Sequence, residues 1–253
     1  LSPDSFRDIK RLDQLDLSQN RLKYLSPNLF TPIENSLIVL NLNRNLLSEM
    51  DPTRLAAVLL KLKNLKTLHL NRNLLFYLPN LIEMIELRHL DLSSNLIEFL
   101  ADPETNENLL PNTNLIDLDL SANRLKQINE NWFNQLLNLE RLNLDSNQIS
   151  QISEQSFQNL KQLKWLNLNR NNLKHIPTRL FYTLINLEYL LMSAQRESLN
   201  VIDNYSFDRV SNQKPIRLVD LSYNQIERIE NRAFCGAAPH STTFSTTKKS
   251  LFK

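Results

Sequence analysis

One line of text recurs through this chain, in the form L-x-x-L-x-L-x-x-N-x-L, and it limits the possible fold more than any other feature. The residues closing it are Asn20, Asn45, Asn73, Asn95, Asn123, Asn147, Asn171 and Asn224, with Gln195 standing in the eighth of nine places. Successive spacings are 25, 28, 22, 28, 24, 24, 24 and 29 residues. Self-similarity at such a period marks a solenoid, in which each unit buries its apolar side only against its neighbours.

The segment LKWLNLNRNNL (163–173) shows why. Leu166 and Leu168 are two apart and share one side of a short strand, while Trp165, Asn167 and Asn169 point the other way. Leu163 and Leu173 turn inward from the flanking arcs. A lone coil cannot bury these leucines. Stacked coils can, and their strands then pair as a parallel sheet about 4.8 Å apart. Each asparagine falls where the chain leaves the strand, and its amide can serve backbone groups that would otherwise be buried unpaired. Behind the strand, INENWFNQLLNL, ISEQSFQNLKQL and IPTRLFYTLINL share I-x-x-x-x-F-x-x-L-x-x-L, which sets Ile128, Phe133, Leu136 and their equivalents inside.

Several places depart from the line. Asp51-Pro52 before TRLAAVLLKLKNL predicts an N-cap, a proline in the first turn and an amphipathic helix. ADPETNENLLPNTN (101–114) is polar and turn-rich, and predicts a protruding loop. In LEYLLMSAQRESLNVI (187–202), Gln195 and two added residues before Leu199 predict an interruption of the asparagine ladder. LSPDSFRDIKRL at the start reads as the tail of an earlier unit, so the chain is expected to be a fragment. The solenoid is expected over 1–236, and a disordered polar tail over 237–253.

Composition removes whole classes of function. With 29 basic and 27 acidic residues the net charge is +2, and no basic face announces a nucleic-acid partner. The longest apolar run, Leu55 to Leu60, is far short of the roughly 20 residues of a membrane span, so no direct membrane insertion is expected within this chain. Gly236 is the single glycine, which excludes glycine-rich phosphate loops, dinucleotide fingerprints and a nucleophile elbow. Cys235 is the single cysteine, which excludes an internal disulfide and a multi-cysteine zinc site. No nucleophile, base and orienting group come together in the text. The expectation is a non-catalytic chain without cofactor or metal.

Lines such as LIDLDLSANRLKQINENWFNQLLNLERLNLDSNQI (115–149) resemble the typical, 24-residue class of leucine-rich repeats. That class is found in Toll-like receptor ectodomains, Slit-like guidance proteins and small leucine-rich proteoglycans. The resemblance covers residues 1–236. It implies an α/β solenoid: a curved horseshoe with a parallel β-sheet on the concave face and a mostly irregular or short-helical convex side. It also implies a protein-recognition module, part of the ectodomain of a cell-surface receptor, adhesion or matrix protein, with a protein ligand on the concave face. Such ectodomains carry cysteine-rich caps, and here only Cys235 in RAFCGAAPH could belong to one. The alternative is a cytoplasmic scaffold or adaptor using the same face, which a single cysteine also permits. Oligomeric state leaves no signature in the text.

Most outward strand residues are Asp-x-Ser pairs, the ordinary solvated filler of this repeat. Trp165 and Tyr189 differ, hold the same place in neighbouring strands, and are expected to stack laterally. Leu191 and Leu218 extend them, Tyr223 lies at the margin, and Arg141 and Arg170 complete the candidate partner-binding set. His69 and His89, with Asp91 and Asp117, sit two residues out of register and read as exposed polar residues rather than a metal site. Asn204-Tyr205-Ser206 is a glycosylation sequon.

Overall fold

The computed structural model describes residues 4–102, 104–105, 107–111, 114–197, 199–208 and 216–235, and the backbone of 243–245. Contacts divide the chain into two compact units, Leu1–Arg124 and Leu125–Lys253. Each is a parallel β-solenoid with little helix, the leucine-rich repeat arrangement.

The first unit holds β1 (Gln14–Asp16), β2 (Val39–Asn41), α1 (Pro52–Leu59), β3 (Thr67–His69), β4 (His89–Asp91) and β5 (Asp117–Asp119). Its five strands pair in chain order, all parallel. The register sets Leu40, Leu68, Leu90 and Leu118 side by side, and all four are buried. Each contributes about 2 kcal/mol by leaving water. Helix α1 begins as expected: Asp51 Oδ1 accepts from the Arg54 N–H at 3.1 Å, and Pro52 opens the first turn. It ends at Leu59, sooner than the apolar pattern suggests, because Leu62 and Leu65 must turn into the core before β3. In the loop expected to protrude over 101–114, Glu104, Thr105 and Glu107 are exposed while the described ends pack on the solenoid. Ala101 bridges Asn108, the Leu109 carbonyl accepts from the Leu81 N–H at 2.8 Å, and Leu110 is buried.

The second unit holds β6 (Gln127–Ile128), β7 (Arg141–Asn143), β8 (Gln151–Ile152), β9 (Trp165–Asn167), β10 (Tyr189–Leu191), β11 (Val201–Ile202), β12 (Leu218–Asp220), β13 (Arg228–Ile229) and β14 (Thr243–Ser245). Strands β7, β9, β10, β12 and β14 form its main sheet, while β6 pairs β8 and β11 pairs β13 on a flank. Leu142, Leu166, Leu190 and Val219 make the inward row. Behind them the repeat phenylalanines stack, Phe133 on Phe157 at 6.2 Å and Phe181 on Phe207 at 5.8 Å. Apart from β14, the tail expected over 237–253 lies outside the described residues.

The repeat amides fasten one turn to the next. Asn171 Nδ2 donates to the Leu144 carbonyl of the preceding turn at 2.9 Å and to Leu168 at 3.1 Å, and its Oδ1 accepts from the Ile149 N–H at 3.0 Å. Asn73 and Asn95 make the corresponding bonds in the first unit. The interruption expected at Gln195 does not occur. Its Nε2 donates to Leu168 at 2.8 Å and Met192 at 3.3 Å, and its Oε1 accepts from the Leu173 N–H at 3.1 Å. The ladder needs a primary amide within reach, and a glutamine supplies one.

Before each of these amides the backbone turns left-handed. Gln19, Arg44, Arg72, Ser94, Ala122, Ser146, Arg170, Ala194 and Tyr223 have φ between 51° and 57°. Such a conformation costs a non-glycine residue about 1 kcal/mol or more. It is held because the turned N–H extends the sheet, as where Arg170 donates to Ser193 at 2.9 Å and Ala194 to Ser222 at 3.0 Å. A second file of asparagines, absent from the expected pattern, ties the arcs before the strands. Asn64 donates to the Asn35 carbonyl at 2.7 Å, and Asn186 to Lys161 at 2.8 Å.

Candidate partner-binding face

Parallel pairing places Arg141, Trp165, Tyr189 and Leu218 in one lateral row on the solvent side of β7, β9, β10 and β12. The next row is Asn143, Asn167, Leu191 and Asp220. The alternation of the text therefore brings four candidate residues together as expected. The expected ring stack of Trp165 on Tyr189 does not form, although repeat phenylalanines do stack. The Trp165 ring instead carries the Arg141 guanidinium, 4.5 Å from its centroid. Both aromatic side chains are half-buried.

Two candidates lie at the edge. Arg170 and Tyr223 occupy the left-handed place before the repeat amide. Tyr223 is 75% exposed. Arg170 is tied down, bonded to the Asp145 carboxylate and, through Nε, to Ser146 Oγ at 2.7 Å. It borders the face as a positioned charge.

A charged row the residue patterns did not flag borders the aromatic one. Lys164 Nζ lies 2.7 Å from Glu140, and Arg217 Nε 3.0 Å from Glu188. The hydrogen bond with Tyr189, then the charge of Glu188, hold the Arg217 guanidinium above its ordinary value. The signal was present in the text: Glu140, Lys164, Glu188 and Arg217 precede successive strands with alternating sign.

The Asp-x-Ser pairs are more than filler. Asp220 Oδ1 accepts the Ser222 N–H at 2.9 Å, Asn167 Oδ1 that of Asn169 at 3.0 Å, and Asp91 Oδ1 that of Ser93 at 2.9 Å. Each is a local side-chain turn that closes the strand. Leu191 cannot make this bond. The Ser193 N–H is taken at 2.7 Å by Asn169 Oδ1 from the neighbouring turn. The chain thus places an apolar side chain where a capping carboxylate or amide ordinarily stands, and restores the lost bond from next door.

In the first unit the register sets His69 beside Asp91, with Nδ1 3.8 Å from Oδ2, and His89 beside Asp117. Burial alone would push the Asp91 carboxyl up, but the neighbouring His69 imidazole and hydrogen bonding from Ser93 together bring it below the usual range. Among the described residues no group of three or more His, Cys, Asp or Glu side chains could hold a metal ion, and no helix is long and apolar enough to cross a membrane. Asn204 is exposed in the turn after β11, with Oδ1 accepting the Arg232 N–H at 3.0 Å. Cys235 is a free, exposed thiol.

Comparison with known proteins places this geometry. A family model described as Leucine rich repeat matches residues 113–173 and 137–196. The leucine-rich repeat part of FLRT2, solved in an octameric complex with Latrophilin 3 and Unc5D, is 28% identical, with a TM-score of 0.70 over 88% of this chain and 64% of that one. A leucine-rich repeat protein of Leptospira interrogans is 26% identical, with a TM-score of 0.71 over 96% of this chain and 56% of that one. TLR13, solved with ssRNA13, shares the fold at 22% identity, with a TM-score of 0.62 over 88% of this chain and 35% of its own. Among curated protein sequences nothing matches. The chain spans less than two thirds of these solved chains.

Proposed function

We propose that this chain, which has the leucine-rich repeat fold and matches that family's model over 113–196, is a non-catalytic recognition module of a cell-surface receptor, adhesion or matrix protein. Its partner is a protein, bound on the concave strand face of the second unit. The observation that carries this reading is the row Arg141–Trp165–Tyr189–Leu218 with Leu191 beside it. Trp, Tyr and Arg dominate binding hot spots, and Trp and Tyr bury large area while fixing few torsions. A face of apolar and aromatic groups rimmed by paired charges suits a protein better than a polyanion, and the net charge of +2 gives no general attraction to nucleic acid. Binding by a framework already ordered by its amide ladder loses little entropy.

FLRT2 assembles with two other proteins, which supports a protein ligand. The sequon opened by the exposed Asn204 supports passage through the secretory route. The test uses the chain as a labelled probe on displayed cell-surface and secreted proteins. A partner bound by the wild type should lose at least about ten-fold in affinity with Trp165→Ala and Tyr189→Ala together. Equal binding by the folded variant would overturn the assignment.

A further inference from the structure

The first unit carries a second surface, on the flank that follows its strands. Four and five residues past Asn123, Asn147 and Asn224, and six and seven past Gln195, the second unit forms paired flank strands, β6 with β8 and β11 with β13. His175 and Ile176, four and five past Asn171, form none. The first unit has Tyr24, Glu49, Tyr77 and Phe99 at the first of these two places, and no such strands are assigned among its described residues. There the Leu25 N–H meets the Met50 sulfur at 3.5 Å instead of a backbone carbonyl. Unzipped in this way, the turns open two adjoining hollows of about 660 and 390 Å³ that share Glu49, Met50 and Asp51.

The two hollows share the Glu49 and Asp51 carboxylates and differ in the cations that line them. The one reaching Tyr24 is balanced, with Arg54 among its walls and Lys23 Nζ 3.1 Å from Glu49 just outside. The smaller one has the carboxylates of Glu49 and Asp51, the rings of Phe76 and Tyr77, and an apolar floor including Leu55 and Leu75, with no lysine or arginine among its lining residues. Tyr24, Phe76 and Tyr77 are 65%, 51% and 58% exposed, an unusual amount of aromatic surface for water. Aromatic faces and carboxylates together are the surroundings that favour a cation over any neutral group.

We propose that this flank is a second docking groove, taking a basic segment of a partner protein with one lysine or arginine side chain seated between the Phe76 and Tyr77 rings and the Glu49 and Asp51 carboxylates. The larger, charge-balanced hollow beside Tyr24 receives the adjoining residues of that segment. The groove belongs to the first unit and the Trp165 face to the second, and either can stand without the other.

The chain supplies its own reporter. It has three methionines, Met50 between the hollows and Met84 and Met192 elsewhere, so a methyl-labelled sample gives one probe and two controls. The ligands are the acetylated, amidated tripeptides Gly-Arg-Gly, Gly-Lys-Gly and Gly-Gln-Gly, each titrated to about 10 mM. The expected result is a saturable shift of the Met50 methyl with the arginine and lysine peptides, none with the glutamine peptide, and stationary Met84 and Met192. Glu49→Gln with Asp51→Asn should abolish the shift, while the asparagine keeps the cap of α1. A stationary Met50, equal shifts with the glutamine peptide, or movement of all three methyls would overturn the proposal. So would a Met50 shift that follows protein concentration alone, which would make a second copy the occupant.

Discussion

Gln195 Nε2 donates to the Leu168 carbonyl at 2.8 Å, the bond that Asn171 makes to Leu144 at 2.9 Å one turn earlier. The one repeat without its asparagine is therefore fastened like the others. Its longer return lies beyond the ladder: the Asn224 Oδ1 accepts from the Gln195 N–H at 2.8 Å, and the added residues follow.

Replacing Gln195 by alanine should accordingly cost about 1–3 kcal/mol, because the buried Leu173 N–H loses its acceptor. Urea denaturation would show it, with Asn171→Ala as the reference. A cost of a few tenths of a kcal/mol for Gln195→Ala, beside a full cost for Asn171→Ala, would mean the glutamine is not a ladder member.

The guanidinium over Trp165 predicts a coupling between Arg141 and that ring. In a double-mutant cycle with Arg141→Ala and Trp165→Ala, the interaction should be about 0.5–1 kcal/mol, the range for an exposed cation–π pair. Simple additivity would show that the contact carries no energy.

Asp91 predicts a pH dependence at the acid end. Its folded pKa is lowered, since the neighbouring His69 imidazole and hydrogen bonding from Ser93 together outweigh its burial. A group whose folded pKa is depressed contributes stability that is present above the ordinary carboxylate range and is lost as pH falls through the folded value. Between about pH 4 and pH 2 the wild type should lose stability relative to Asp91→Asn. Thermal melts across that window check it; parallel curves would contradict it.

How far the text itself reaches depends on what each residue must do. The inward leucines are legible because two-residue spacing fixes a side, and Leu142, Leu166 and Leu190 align accordingly. Gln195 misleads because a pattern records residue identity, while the bond asks only for an amide within reach. The left-handed turns are illegible, since Arg, Gln, Ala, Ser and Tyr at those places carry no turn signal and neighbouring turns impose the conformation. The Trp165–Tyr189 alignment is legible from the repeat. The ring's actual partner, Arg141, is not, because side-chain torsions rather than spacing choose it.

Asn204 predicts a glycan when the chain is produced through a secretory pathway. Its side chain is exposed, and the expected outcome is a mass shift removed by glycosidase and absent in Asn204→Gln. Unmodified secreted protein would withdraw the support this sequon gives to a cell-surface role.

The central claim is that the face around Trp165 and Tyr189 meets a protein partner. Hydroxyl-radical footprinting of the chain, alone and with a captured partner, reads both rings directly. Oxidation of Trp165 and Tyr189 should fall sharply on binding, and oxidation of Trp132, buried in both states, should not change. Undiminished oxidation of the two face residues in a saturated complex would place the partner elsewhere and contradict the assignment.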